Sequence, residues 1–209
     1  MKILVTGFDP FGGQTVNPAY EAVRLLPDQI GAATLIKAQI PTIFGQGADL
    51  LEQLMEAHTP DAVLLVGQAG GRAAISVERI AINVQDASIA DNAGAQPVDL
   101  PVVPGGPAAY FATIPVKKIV RRVQEAGIPC RVSDSAGTFV CNDLMYRMLH
   151  HIDVHHLPVI GGFIHVPYLP QQAAVLPGQA PSMSLEMIVQ ALHLALKEIL
   201  ASFDTLPIL

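Results

Sequence analysis

The chain holds two cysteines, Cys130 and Cys141, and the second stands where a nucleophile would. It closes the run Ser135-Ala136-Gly137-Thr138-Phe139-Val140-Cys141, at which a short apolar strand hands over to a helix. A thiol is only slightly ionised near neutral pH, and a helix N-terminus beside an imidazolium lowers its pKa toward the reactive range. His165 is the last residue but one of the apolar stretch 159–166, which Pro167 ends, and so falls where the C-terminal end of a strand opens into a ligand crevice. From the residues alone His165 is either a satisfied core imidazole or the base of a Cys–His pair. Cys130 has nothing basic or helix-starting around it and reads as a small apolar strand residue.

Glu78 is the one carboxylate within the apolar run 75–82. It either pairs with Arg72 or Arg79, or holds a catalytic imidazole in one tautomer. Near the N-terminus, Phe8 and Phe11 flank Pro10 in a glycine-rich loop after the first strand. They wall a small apolar pocket or simply pack. The same loop does not bind phosphate in the P-loop manner, because Gly13 and Gln14 follow Gly12 where that motif needs Lys and then Ser or Thr. The cluster His150-His151-Ile152-Asp153-Val154-His155-His156 lacks the Glu of a zinc-peptidase motif. It falls at a helix C-terminus, where cationic side chains suit the helix dipole without any metal.

These groups need a scaffold, and periodicity supplies one. Strands are expected at 2–6, 34–40, 62–66, 130–133 and 159–166, and helices at 48–57, 115–126, 140–151 and 184–200. Asn17-Pro18 is an N-cap followed by proline at the first helical position, and Gly127 closes the helix before it. The alternation points to an α/β sandwich. Residues 86–107 and 167–181, rich in Gly, Pro, Asn and Asp or in proline, match no element and read as substrate-covering or subunit-contacting segments.

The 209 residues suit a single domain, here taken as 1–209. A net charge of −6 without a basic cluster argues against nucleic acid as a partner. Charged residues are 14% against 51% hydrophobic, so low-charge surface is left over and a homo-oligomer is expected. No apolar run is long enough for a membrane span and no signal-peptide layout opens the chain, which points to the cytoplasm.

Taken together, the segments 7–18, 67–83, 133–141 and 162–167 resemble the pyrrolidone carboxyl peptidase (pyroglutamyl peptidase I) family of cysteine peptidases. The resemblance implies a three-layer α/β/α sandwich around a mostly parallel, mixed twisted sheet, assembled as a dimer or tetramer. It implies removal of N-terminal pyroglutamate from peptides through a thioester, with Cys141 as nucleophile, His165 as base and Glu78 as orienter, and with neither metal nor cofactor. Phe8, Phe11, Phe139 and Val140 would enclose the lactam ring and Gln68 would hydrogen-bond it. One position departs from the family pattern. Ser88 stands where members commonly have an arginine associated with charge stabilisation at the scissile carbonyl. Two rival readings are a binding homologue without turnover and a nucleoside phosphorylase-like enzyme.

Overall fold

The apolar runs become strands because helices cover both of their faces. In a computed structural model, which describes residues 1–203, seven strands form one mixed sheet. The elements up to the middle of the chain are β1 (Lys2–Phe8), α1 (Pro18–Leu25), β2 (Gln29–Ile30), β3 (Ala33–Ile40), α2 (Gln46–His58), β4 (Ala62–Gln68), β5 (Ile75–Glu78), β6 (Ile80–Ile82) and β7 (Ala109–Phe111). There follow α3 (Val116–Glu125), β8 (Cys130–Ser133), α4 (Val140–Val154), β9 (Ile160–Val166), α5 (Pro170–Ala173) and α6 (Leu185–Phe203).

The sheet order is β2-β3-β1-β4-β9-β5-β8. Strands β3, β1, β4 and β9 run parallel, whereas β5 and β8 run against β9 and β2 against β3. Side chains alternate between two cores, as the strand period requires. Ile3, Val5, Leu64, Val66 and Ile164 face α1, α3 and α6, while Leu4, Val63, Leu65 and Phe163 face α2 and α4. The result is the three-layer α/β/α arrangement. Gly7 on β1 shows how closely the layers meet: a Cβ there would lie 2.6 Å from the backbone of Tyr20 on α1.

Helix ends follow local chemistry. Asn17 Oδ1 accepts the Ala19 N–H at 3.0 Å and Pro18 fills the first helical position. α3 ends with Ile128 N–H bonded to the Val123 carbonyl and Gly127 N–H to that of Gln124, with Gly127 at φ 77°. That is the Schellman pattern, which needs a left-handed residue where Gly127 sits.

Several elements differ from the sequence expectation. The run 75–82 is broken at Arg79 into β5 in the large sheet and β6 in a separate pair with β7. The Arg79 N–H bonds to Ser133 and its carbonyl to Ala112, so the chain switches sheets at this residue. α4 continues to Val154, and the proline-rich segment 167–181 contains α5. Segment 86–107 has no regular element but is tied down, with Asp91 accepting the N–H groups of Phe44, Ala93 and Ala95. Among the described residues, no helix is long and apolar enough to cross a membrane.

Candidate active site

Strands β4 and β9 end side by side, and their last residues place Gln68, His165 and the neighbouring Gly67 at one edge of the sheet. There a cavity of about 370 Å³ opens, lined among others by Phe8, Phe11, Arg72, Phe139, Cys141 and His165. Opposite the strand ends, α4 points its first turn into this cavity. Its N-cap is Phe139, a side chain that cannot accept a hydrogen bond, so the helix starts uncapped. The opening N–H groups are left available to an anion.

The reversed strand β5 explains how a carboxylate reaches the imidazole from below. Ser76 pairs with His165 and Glu78 with Phe163, so Glu78 lies one side-chain repeat deeper in the sheet, on the same face. His165 Nδ1 is 2.7 Å from Glu78 Oε1, and Arg72 Nη1 donates to the same oxygen, also at 2.7 Å. Both alternatives for Glu78 are therefore present in one group, with Arg72 as the cation; Arg79 pairs instead with Asp134. Glu78 Oε2 is buried without a hydrogen-bond partner among the described residues.

The charges in the site follow from this packing. Burial pushes the Glu78 carboxyl up, but the bond and charge of His165, with help from Ser133 and Arg72, outweigh it and leave it below the usual carboxylate range. Burial lowers His165 below the ordinary imidazole range despite Glu78. Burial also pushes the Cys141 thiol up to about 12, with Glu78 adding to the rise and Arg72 opposing it. Burial thus opposes charge on both the thiol and the imidazole of this site. Since the carboxylate accepts the proton of Nδ1, Nε2 is the basic nitrogen of the neutral ring.

Cys141 is half-buried and its sulfur lies hard against β4. A Cβ on Gly67 would stand 3.0 Å from Cys141 Sγ and 2.7 Å from Phe163 Cζ, so only glycine lets the strand pass under the nucleophile. The cysteine is held from behind by its neighbours. Asn142, fully buried, accepts from Ile82 N–H and donates to the Ile82 and Val84 carbonyls at 2.9–3.0 Å. Asp143 accepts from Gln85 at 2.6 Å, and Thr138 donates to the Asp86 carbonyl, also at 2.6 Å.

The aromatic wall is assembled from three loops. Phe11 meets Phe139 at 6.1 Å between ring centroids, and Phe44 meets Phe139 edge-on at 5.4 Å. Phe8 is almost fully buried and packs on Phe163, yet also lines the cavity, so packing and pocket coexist in it. Its loop is fixed by Asp9 Oδ1, which accepts from the Thr42 N–H and hydroxyl, both at 2.7 Å.

Of the residues singled out by sequence, Phe8, Phe11, Gln68, Ser88, Phe139, Cys141 and His165 line the cavity, and Glu78 sits beneath it. Val140 does not. Its side chain is 1% exposed in the core between α2, α4 and the sheet, because the first turn of α4 points Val140 inward and Phe139 outward. Arg72, Asn17 and Thr42 were not assigned to the pocket by sequence, and all three line it. Asn17 was visible only as a cap, and no spacing ties Thr42 to Asp9.

The histidine cluster is elsewhere. His150 Nδ1 is 2.9 Å from the Tyr110 hydroxyl, and His151 lies 3.9 Å from Glu52. Among the described residues no three ligating side chains gather where they could hold a metal. Cys130 lies buried on β8, also pushed up to about 12 by burial. Proton affinity therefore does not separate the two thiols; access to a cavity and a base does.

Comparison with known proteins gives the family. Residues 1–202 match the family model described as pyroglutamyl peptidase. A pyrrolidone-carboxylate peptidase 1 of Ralstonia nicotianae is 54% identical over 196 residues, covering 93% of this chain and 91% of the relative. A pyrrolidone-carboxylate peptidase of Treponema denticola is 51% identical over 202 residues, covering 95% and 93%. The crystal structure of Bacillus amyloliquefaciens pyroglutamyl peptidase I superposes with a TM-score of 0.92 at 49% identity, over 96% of this chain and 97% of that one. A mutant pyrrolidone carboxyl peptidase from the hyperthermophile Pyrococcus furiosus gives 0.94 at 44% identity, over 97% and 100%.

Proposed function

The chain belongs to the pyroglutamyl peptidase family of cysteine peptidases, and on that premise we propose that it removes N-terminal pyroglutamate from peptides using Cys141, His165 and Glu78. The observation that carries the assignment is the Glu78–His165 hydrogen bond at the base of the cavity that holds Cys141.

As sulfur attacks the pyroglutamyl carbonyl, the thiol proton passes to His165 Nε2, and Glu78 stabilises the imidazolium so formed. The carbonyl oxygen takes up negative charge against the uncapped N–H groups that open α4. Ser88 supplies no positive charge here, so this task falls on the helix terminus; Arg72, the one arginine or lysine in the cavity lining, is paired with Glu78. The C–N bond then breaks and His165 returns its proton to the departing amine, leaving a thioester. Water, deprotonated by the same nitrogen, attacks the thioester, and the sulfur leaves with the proton. Pyroglutamate and a peptide with a free amino terminus result. No step calls on a metal or cofactor.

The pocket suits a compact neutral ring: Phe8, Phe11 and Phe139 offer apolar walls and Gln68 a polar contact, whereas a charged N-terminus would be left unsolvated. The reading also takes residues 1–209 as one domain in a cytoplasmic dimer or tetramer, supported by two free cysteines and by exposed Phe111, Val98 and Leu100. Light scattering that finds a monomer removes the oligomer from it.

The test is release of a chromophore from a pyroglutamyl amide beside the corresponding prolyl and glutamyl amides. The pyroglutamyl compound alone should be cleaved. Cys130→Ser should retain this activity and Cys141→Ala lose it; equal activity of the two variants rejects the nucleophile.

A further inference from the structure

A carboxamide at a binding site can show a ligand either its donor or its acceptor, and the choice decides what it recognises. For Gln68 the surroundings make that choice through Gln172, a buried residue on α5. Gln172 Oε1 accepts the Leu169 N–H at 2.9 Å, and its Nε2 donates to the Val16 carbonyl at 3.2 Å. Those two backbone groups admit one orientation of Gln172, since turning it over would set N–H against N–H and oxygen against oxygen. Nε2 then also donates to Gln68 Oε1 at 3.0 Å, with Gln14 Oε1 a more distant acceptor at 3.4 Å. With its oxygen turned to Gln172, Gln68 faces the cavity with its NH₂. Among the described residues that nitrogen donates to no protein group, it is not sealed from solvent, and Gln68 lines the cavity.

We infer that Gln172 is a specificity-positioning residue, which locks Gln68 so that the cavity presents an N–H donor to the ring carbonyl of a five-membered lactam. The inference rests on the pyroglutamyl reading and deepens it. A proline ring has a methylene where the lactam has its carbonyl, so the locked donor would lose its water and gain no partner. Such a mismatch is disfavoured more strongly than a missing apolar contact.

Gln172→Glu keeps the acceptor for Leu169 and removes the donor, which draws the Gln68 NH₂ toward residue 172 and turns its oxygen to the ligand. Gln172→Met and Gln68→Met remove the hydrogen bonds outright. The measurements are kcat and KM for a pyroglutamyl amide, and inhibition by 2-pyrrolidone against its thiolactam, whose sulfur is the poorer acceptor. Wild-type protein should prefer the lactam by roughly tenfold. In Gln172→Met and Gln68→Met the preference should vanish and KM rise by roughly tenfold, with kcat within about threefold. Gln172→Glu should raise KM further than Gln172→Met, and the double Met variant should be no worse than the worse single one, since one acts through the other.

A folded Gln172→Glu protein with wild-type KM and lactam preference overturns the inference and leaves the peptidase reading intact. Additive effects in the double Met variant also overturn it. Wild-type protein that neither cleaves the amide nor binds 2-pyrrolidone overturns both.

Discussion

Strands β4 and β9 run in parallel, and a cavity opens at each end of the pair. The one at their N-terminal ends is the larger, about 540 Å³ against about 370 Å³, and it holds His151, His155, Glu56 and Asp61. By volume and by histidine count it is the better candidate. Yet its imidazoles lean on one another at 4.6 Å, and the nearest carboxylate oxygen to His151, on Glu52, is 3.9 Å away. No cysteine is among its lining residues. At the C-terminal ends a single histidine is buried, set in one tautomer by a carboxylate at 2.7 Å, and shares its cavity with a thiol. A catalytic imidazole is made by constraint rather than by number.

That contrast can be broken by substitution. Cys141→Ala should show the largest effect, a loss of pyroglutamyl amide turnover of at least about ten-thousandfold with folding retained. Comparable loss in Cys130→Ser would place the chemistry at the wrong end of the comparison. Next comes Glu78→Gln, which removes the charge that stabilises imidazolium and should lower kcat by roughly a hundred- to ten-thousandfold at little changed KM. A kcat near wild type for that variant means Glu78 serves only as the partner of Arg72.

The pH profile should follow with a smaller effect. His165 must be neutral to act and its pKa is lowered by burial, so the acid limb of kcat/KM should lie below 6.5, and Cys141 should add no basic limb short of about 12. A basic limb near neutrality that moves with Cys141 chemistry would instead reveal a thiolate–imidazolium pair. The same shift carries a stability consequence. The folded state resists protonating His165 while the unfolded chain does not, so its contribution is complete above 6.5 and is lost as pH falls through and below that value. Glu78, lowered from 4.5, acts in a separate and more acidic window, which thermal melts across pH would resolve. Smallest of all, His151→Ala combined with His155→Ala should change kcat/KM by less than about twofold, and a chelator should not inhibit. Inhibition reversed by added metal would return attention to the larger cavity.

What was legible in the chain was local. Asn17-Pro18, Gly127 and the strand-to-helix handover at Cys141 each depend on neighbours within a few residues, and each stands as read. The reversal of β5, the sheet switch at Arg79 and the grip of Gln172 on Gln68 involve partners dozens of residues away, which periodicity does not encode. Val140 packs into the core for a related reason: proximity to Cys141 in sequence says nothing about which way a helix turns its first side chains. The proton affinity of Cys141 is raised by its own burial and by Glu78 and opposed by Arg72, and those two partners lie about sixty and seventy residues away, beyond the reach of a helix-start rule.

The Glu78–His165 bond joins residues 87 apart in the chain, across the antiparallel β5–β9 pairing. Cys141 lies between them in sequence, on α4. No contiguous fragment shorter than 78–165 contains all three groups. Closing so long a loop is slow compared with forming helices, so activity should return in refolding only when the central sheet is complete. Catalysis is then a stringent clock for folding, and it should lag behind the recovery of helical signal.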